Sequence, residues 1–329
     1  MAVYTEVTDE ALAAFLEEYD IGHAVAFRGI AEGVENSNFS LRTTAGDFIL
    51  TLYEKRVDPA ELPWFLGLME HLAGRGITCP QPVRGRDGNA LRRLAGRHAA
   101  VTTFLPGVWP RRVRQEHCAP VGTALARLHL AGEGYAPTRD NALGPAGWGP
   151  LLGRARESLE ATGANGATAA LCDELERALG ATLAAWPRGG ARGGLPVGHI
   201  HADLFPDNVF FLDGQLSGLI DFYFAATDLL AYDVAVCLNA WCFEPDYMFN
   251  VTKARALLGA YGTVRALSAA ERAALPVLCR GAAMRFALTR LFDWINTPPG
   301  AIVTRKDPME YIRRLRFFLT AGDGHALGL

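Results

Sequence analysis

The chain has 329 residues, of which half are hydrophobic and a fifth are charged, and its formal net charge is −3. This balance fits a soluble globular protein of about two domains, and it argues against nucleic acid or an anionic membrane as a partner. No basic segment leads into an apolar run at the start, and no apolar stretch reaches the roughly 18 residues of a membrane span, so we expect a cytoplasmic protein. The six cysteines lack a CxxC pair or metal-ligand spacing and indicate buried thiols.

The first hundred residues predict a small antiparallel sheet with two helices. Thr8 is a capping residue, and the apolar positions after it recur at helical spacing. A second capped helix begins near Asp58, and Asp87 with Gly88 predicts a hairpin turn. Three strand-like runs separated by polar or glycine-rich turns lie between the helices, at 25–30, 38–43 and 47–53.

The turn between the first two strands is a candidate phosphate site. It contains Asn36, Ser37 and Asn38, small polar residues that can offer backbone N–H groups and a hydroxyl to phosphate. The turn lacks a G-x-G-x-x-G pattern. An ordinary hairpin turn is therefore the alternative interpretation.

A domain boundary is predicted where an apolar strand runs into Pro106 and Gly107. Such a strand is a suitable hinge, and we expect a ligand to be held between domains 1–105 and 106–329. Beyond the boundary the apolar periodicity becomes helical. Helices are predicted at 117–131, 164–186, 228–241, 268–295 and 307–320, so the fold class is α+β.

A histidine, two aspartates and an asparagine form the main chemical motif, as His201-x-Asp203-x4-Asn208 followed by Asp221 at the end of an apolar strand. Phosphoryl transfer needs a carboxylate that accepts the proton of the attacking hydroxyl, which we assign to Asp203. It also needs oxygen ligands that hold magnesium against the ATP phosphates, which we assign to Asn208 and Asp221. Simple turn residues are the alternative, but the agreement of all these positions in order favours the catalytic interpretation.

Polar residues also occur within helices that are otherwise apolar. Asp233 lies beside Val234 and Ala235, so its carboxylate needs a fixed partner, which in a kinase-like fold is the backbone of the catalytic loop. Arg285 is similarly surrounded, and either a structural partner or a substrate carboxylate suits its guanidinium. His129 is interpreted as a structural histidine.

These motifs resemble those of the aminoglycoside-phosphotransferase-like kinases, and within that family most closely the bacterial homoserine kinases of this fold. The resemblance extends over nearly the whole chain and is most specific at 1–7, 29–38, 54–59, 201–208, 220–224, 237–244 and 305–308. It implies a two-lobed protein-kinase-like fold, with a small N-terminal antiparallel-sheet lobe that binds nucleotide and a larger, mainly helical C-terminal lobe. It also implies transfer of phosphate from MgATP to the side-chain hydroxyl of L-homoserine, an early step of threonine biosynthesis.

The resemblance also implies site residues, with one departure. Kinases of this family commonly carry a lysine on the third strand, where this chain has Thr51. Lys55 lies four residues later on the same face of an extended strand and is an alternative, with Glu61 or Glu70 as its helix partner. Catalytic roles fall to His201, Asp203 and Asp233. Nucleotide contacts are expected from Asn36, Ser37, Asn38, Thr51 and Lys55, and adenine contacts from the backbone around Thr103, Phe104 and Leu105.

The substrate must be bound through its ammonium and carboxylate groups. Arg285 suits the carboxylate, and Glu244 or Asn239 suits the ammonium. Tyr223 and Trp241 complete the candidates, with core packing as the alternative for Trp241.

Two other functions stay open at this point. One is a kinase for another small alcohol such as choline, methylthioribose or an aminoglycoside; the mild acidity argues against a polycationic substrate. The other is a nucleotide-binding module without catalysis, against which the intact Asp203, Asn208 and Asp221 speak. The oligomeric state is open as well.

Overall fold

The computed structural model describes residues 5–30, 36–54, 58–162, 166–190, 194–297, 305–321 and 324–328. The chain divides into two compact units, Met1–Gly107 with Ser217–Ile220, and Val108–Leu216 with Asp221–Leu329. The domain boundary predicted after Leu105 lies just before this division. The return of a short strand segment to the first unit was not predicted.

The first unit contains an antiparallel sheet of five strands in the order β1-β2-β3-β5-β4. Alternation of apolar and polar residues explains the central strands, because Phe39 and Leu41 on one strand and Leu50 and Leu52 on the next are buried. The strands are β1 Ala24–Gly29, β2 Ser37–Thr43, β3 Gly46–Tyr53, β4 Leu91–Leu94 and β5 Arg97–Thr103.

Two helices accompany this sheet. Helix α1, Asp9–Leu16, begins where predicted, and the Thr8 side chain caps it by accepting from the backbone N–H of Ala11 at 3.2 Å. Its buried residues share one core with the inner face of the sheet. Helix α2, Leu62–Gly74, begins later than predicted. Residues before it form a turn instead, in which Asp58 accepts from the N–H of Ala60 at 2.9 Å.

The hairpin predicted at Asp87 and Gly88 was wrong. These residues do form a turn, but β4 pairs with β5 through a hairpin at Ala95 and Gly96, whose φ angles are 48° and 76°. A hairpin of this kind needs positive φ, which glycine, asparagine and aspartate adopt far more readily than alanine. The Asp-Gly pair was therefore the stronger hairpin signal in the sequence, although the β4–β5 hairpin turns at Ala95 and Gly96.

The second unit is mainly helical. Helices α4 and α7 were not predicted, because glycines and Pro150 within α4 and glycines in α7 weaken the helical signal. None of the helices in the described segments is both long enough and apolar enough to cross a membrane. The helices are α3 Gln115–Ala131, α4 Pro145–Thr162, α5 Gly166–Ala184, α6 Leu230–Trp241, α7 Val251–Val264, α8 Ala269–Asn296 and α9 Met309–Thr320.

Short strand pairs flank the catalytic motif. Strand β6, Val197–Ile200, pairs antiparallel with β9, Ala226–Leu229. Strand β7, Val209–Leu212, turns into β8, Gln215–Leu219, through an Asp-Gly turn at 213–214, where φ is 50° and 76°. The last two residues of β9, Asp228 and Leu229, were predicted as the start of α6. The motif therefore lies on loops whose two ends are held by strands.

Candidate active site

The loop between β6 and β7 carries His201, Asp203 and Asn208. Asn208 ends a 3₁₀ turn, and its Nδ2 donates to the Asp203 backbone oxygen at 2.8 Å and lies 3.4 Å from Asp203 Oδ2. The Asp203 N–H in turn donates to Nδ1 of His201 at 3.3 Å. The three motif residues thus bind one another within the loop, and the Asn208 amide oxygen has no protein partner in the described part of the chain.

Asp233 of α6 holds this loop from below. Its carboxylate oxygens accept from the backbone N–H groups of His201 at 2.7 Å and Ala202 at 2.8 Å. This is the contact with the catalytic-loop backbone that the sequence predicted. His129 is the structural histidine expected from the sequence, because its Nε2 lies 3.1 Å from Asp233 and its Nδ1 lies 2.8 Å from the Tyr261 hydroxyl.

The charge of Asp233 is maintained despite complete burial. Burial alone raises the pKa of this carboxyl, but the hydrogen bond and charge of His129, together with His201, outweigh it and leave the pKa below its ordinary value. A charged carboxylate makes stronger hydrogen bonds to N–H groups than a neutral one does. Asp233 is therefore a fixed anionic anchor for the loop.

The pKa of Asp203 is shifted in the opposite direction to that of Asp233. Its side chain is mostly buried, with 18 % exposed, and burial raises its pKa to about 6. The charges of Arg285 and Lys306 oppose this shift, and Arg285 Nη2 lies 3.7 Å from Asp203 Oδ1. A carboxyl with a pKa near neutrality is well suited to accept a proton from a hydroxyl. The role of Asp203 as general base remains a prediction with this geometry in its favour.

Asp221 follows β8 and adopts the left-handed conformation, with φ 64°, at the start of the 3₁₀ turn Phe222–Phe224. The ring of Phe222 packs on the ring of His201 at 4.7 Å between centroids. The residue after Asp221 is therefore in contact with the catalytic loop. Conformations with positive φ are uncommon for residues other than glycine and cluster at functional sites.

The donor chemistry of this region fits a hard divalent cation. Asn208 offers an amide oxygen and Asp221 a carboxylate, and such oxygens suit a small cation that completes its shell with water and phosphate. No group of three or more His, Cys, Asp or Glu within the described ranges is placed to hold a metal.

Two predicted substrate residues are fully buried and hydrogen-bonded to backbone groups of the protein. Asn239 is fully buried, and its Nδ2 donates to the backbone oxygens of Ala235 and Cys279, both at 3.0 Å. Trp241 is also fully buried and donates from Nε1 to the Leu204 oxygen at 2.7 Å. The contacts of Asn239 engage only its N–H groups, and its Oδ1 is buried with no hydrogen-bond partner among the described residues. Trp241 packs beneath the catalytic loop, the alternative considered from the sequence.

The other substrate candidates differ in how strongly other groups of the protein already bind them. Glu244 Oε1 pairs with Lys253 Nζ at 2.7 Å and accepts from Asn250 Nδ2 at 2.8 Å, so an ammonium ligand has to compete with an internal cation. Tyr223 is half-buried in the 3₁₀ turn after Asp221. Arg285 is bound to the catalytic loop.

The predicted phosphate residues of the first unit bind protein groups. Ser37 donates to Glu54 Oε1 at 2.7 Å, Asn36 Oδ1 accepts from the Glu54 N–H at 3.3 Å, and both side chains are buried. Thr51, in the position of the expected lysine, donates to Asn38 Oδ1 at 2.8 Å. The side chains of Asn36, Ser37 and Thr51 are therefore already engaged by protein groups.

Glu54 is a residue that sequence reasoning missed. Its side chain, 8 % exposed, accepts from Thr5 Oγ1 at 2.7 Å as well as from Ser37, and it pairs with Arg97 Nε at 3.1 Å. A glutamate at the end of a buried strand was the available signal. Lys55, the next residue, lies outside the described residues.

The remaining nucleotide predictions concern the end of β5. The Thr103 N–H donates to the Gln81 oxygen at 2.9 Å, and the Phe104 N–H donates to the Asp47 oxygen at 3.4 Å. The side chain of Phe104 is exposed, and that of Leu105 is half-exposed. Of the two predicted lysine partners, Glu70 is bonded to Arg84 at 2.6 Å and 2.8 Å, and Glu61 precedes α2.

The sequence pattern of the phosphotransferase enzyme family matches residues 26–267. The chain belongs to this family. It is 71 % identical over 329 residues to a homoserine kinase of Acidiphilium cryptum and 70 % identical to one of Granulibacter bethesdensis. In both cases the match covers 100 % of each chain. The family resemblance seen in the sequence is thereby confirmed.

Among solved structures, this phosphotransferase is similar to an amicoumacin kinase in complex with AMP-PNP, Ca²⁺ and its ligand. The TM-score is 0.65 at 16 % identity, over 94 % of this chain and 91 % of the other. At that identity the likeness concerns the fold. It confirms the predicted α+β kinase-like class, with an N-terminal antiparallel sheet followed by a mainly helical part.

Proposed function

We propose that this protein is an ATP-dependent kinase that phosphorylates the side-chain hydroxyl of L-homoserine to O-phospho-L-homoserine, with Mg²⁺ as the cation. The observation that supports the substrate is 70 % identity to the homoserine kinase of Granulibacter bethesdensis, over 100 % of both chains. The site supports the chemistry, because it combines a buried carboxyl of raised pKa with oxygen donors for a hard cation. We place this reaction in the cytoplasm, within threonine biosynthesis.

In this mechanism Asp203 orients the attacking hydroxyl and accepts its proton. Asp203 in its deprotonated form is the active base, and a pKa near 6 leaves it mostly deprotonated at neutral pH. Asn208 and Asp221 would hold Mg²⁺, which when bound offsets negative charge on the transferring phosphoryl group. Asp233 fixes the loop through the N–H groups of His201 and Ala202, so that the base does not have to be ordered during turnover.

The test is direct identification of the product. Purified protein with MgATP and L-homoserine should give ADP and a phosphate monoester of homoserine in equal amounts, measured by phosphorus NMR and mass spectrometry. The Asp203→Asn variant is the matched control, since it keeps the size of the side chain and removes the base. Equal product from both proteins would contradict the proposed role of Asp203, and no phosphohomoserine from the native protein would contradict the substrate.

A further inference from the structure

Arg285 of α8 is a buried cation at the catalytic loop. Its side chain is 2 % exposed, its Nη1 donates to the backbone oxygen of Ala202, and its Nη2 lies 3.7 Å from Asp203 Oδ1. The rings of Phe224 and Phe286 lie 5.4 Å and 4.5 Å from the guanidinium carbon. The guanidinium thus contacts both the backbone and the carboxylate of the loop from the side of α8.

The peptide that Arg285 binds has an unusual conformation. Ala202 is fully buried and has φ 62°, in the left-handed region that residues with a Cβ rarely adopt. Its N–H donates to Asp233 Oδ1 at 2.8 Å, and its carbonyl accepts from Arg285. A strained conformation persists only when its surroundings hold it. Here an anion from α6 and a cation from α8 bind the two ends of the same residue.

We infer that Arg285 is a positioning residue of the kinase reaction, which holds Ala202 in its left-handed conformation and thereby orients the Asp203 carboxylate toward the acceptor hydroxyl. The inference rests on the proposed function for the identity of the reaction. It differs from the substrate-carboxylate role considered from the sequence, because it assigns Arg285 to the enzyme's own loop.

The contacts of the guanidinium favour this assignment. A carboxylate ligand is bound best by two N–H groups of an arginine in parallel. In Arg285 one terminal nitrogen is bonded to Ala202 and the other faces Asp203, while Nε is buried and has no hydrogen-bond partner within the described residues. With Nη1 bonded to Ala202, Nη2 facing Asp203 and only 2 % of the side chain exposed, the guanidinium is engaged by the catalytic loop and presents little surface to a substrate carboxylate.

The chain contains a matched control in Arg314 of α9. It is also buried, with 8 % exposed, and it donates to a backbone oxygen, that of Asn239, while pairing with Glu310. The Tyr311 ring lies 4.4 Å from its guanidinium carbon, and its Nε likewise lacks a partner among the described residues. The two arginines share burial, a carbonyl, a carboxylate and an aromatic ring, but only Arg285 binds the catalytic loop.

The experiment compares Arg285→Gln, Arg285→Lys and Arg314→Gln, each checked for folding by circular dichroism and thermal unfolding. Turnover is measured with L-homoserine and with 3-aminopropan-1-ol, which is homoserine without its carboxylate. Arg285→Gln should lower kcat for L-homoserine about 100-fold, the loss expected from a displaced catalytic group, with KM changed by less than about threefold. Any turnover of 3-aminopropan-1-ol should fall by the same factor. Arg285→Lys should restore part of kcat, and Arg314→Gln should lower thermal stability but keep kcat.

Three results would overturn the inference. A KM for L-homoserine that rises at least about tenfold while kcat is kept, with 3-aminopropan-1-ol unaffected, would make Arg285 a ligand of the substrate carboxylate. An unchanged kcat with lowered thermal stability, or an equal loss of kcat in Arg314→Gln, would make Arg285 a general structural residue. If Arg285→Gln does not fold, Arg285→Lys decides by the same division between kcat and KM.

Failure of the proposed substrate is recognised separately. A native protein that leaves L-homoserine unchanged but phosphorylates another alcohol contradicts the proposed function alone. The kcat and KM of the variants are then measured with that alcohol. A fall in kcat at constant KM still supports the positioning role, and the opposite division still contradicts it.

Discussion

Two regions of this molecule carry dense polar motifs, and their side chains are used in different ways. In the catalytic loop, charges from α6 and α8 bind the backbone. Among the described residues, the Asp203 carboxylate has only long contacts, with Asn208 at 3.4 Å and Arg285 at 3.7 Å. At the start of β2, the side chains of Ser37 and Asn36 are hydrogen-bonded to Glu54. A polar motif therefore provides reactive side chains only where neighbouring groups satisfy its backbone and leave those side chains available.

The largest effect on turnover is expected from replacing Asp203, the side chain of the catalytic loop that is left available for reaction. Asp203→Asn should lower kcat by about 10²–10⁴-fold, the contribution typical of a general base. Affinity for an ATP analogue should stay within about threefold, since Asp203 is not assigned to nucleotide binding. Steady-state kinetics and analogue titration measure the two quantities. Near-native turnover would contradict the assignment of Asp203 as the base. It would also contradict the claim that the catalytic loop leaves a reactive side chain available.

Asp221 provides a second test of the catalytic region, through its predicted role as a ligand of Mg²⁺. Asp221→Ala should abolish most of the Mg²⁺-dependent part of nucleotide affinity, because a carboxylate ligand of the cation is lost. Isothermal titration with an ATP analogue, with Mg²⁺ and with EDTA, separates this part from the metal-independent part. Asp213→Ala, at the exposed turn before β8, is the control. Unchanged Mg²⁺ dependence in Asp221→Ala would place the cation elsewhere.

Asp233 tests the anchoring of the loop. Asp233→Asn should lower the free energy of unfolding at pH 7 by about 2–4 kcal/mol, since buried N–H groups lose a charged acceptor. The pKa of Asp233 is lowered by folding, so its contribution is complete above the ordinary carboxyl pKa and is lost as the pH falls through the folded value. Denaturant unfolding from pH 7 to pH 3 should show a native–variant difference that starts to shrink below about pH 4. A constant difference would contradict the lowered pKa.

The smallest effect is expected at the start of β2, where Glu54 already binds the polar side chains. Ser37→Ala removes one donor from the buried Glu54 carboxylate and should cost about 1–2 kcal/mol of unfolding free energy. Ser40→Ala, on the same strand with an exposed side chain, should cost less than about 0.5 kcal/mol. The KM for ATP should change little in either. A tenfold rise in that KM for Ser37→Ala alone would show that its hydroxyl binds phosphate, which would break the comparison.

Much of this architecture was accessible from the sequence. Alternating residues such as Phe39 and Leu41 predict β2. The lone carboxylate of Asp233 in an apolar helix predicts a fixed partner, and the resemblance to kinases implied that this partner is the catalytic-loop backbone. These features depend on local periodicity or on the cost of burying a charge.

Features that depend on distant packing were not accessible. The partner of Arg285 is a carbonyl 83 residues earlier, so burial predicted that a partner exists without naming it. Asn239 has the chemistry of a ligand, and nothing in the sequence indicates that its Nδ2 bonds the Cys279 carbonyl on another helix. Glu54 gathers partners from Thr5 to Arg97, a set that no spacing in the sequence reveals.

The most direct test of the central claim is Mg²⁺-dependent release of ADP from ATP across a panel of acceptors. The panel contains L-homoserine, L-serine, L-threonine, choline, methylthioribose and kanamycin, with Asp203→Asn as the catalytic control. Release with L-homoserine well above every other acceptor, and absent in the control, is the predicted result. Preferred release with a different acceptor, or none with any, would contradict the assignment of this phosphotransferase as a homoserine kinase.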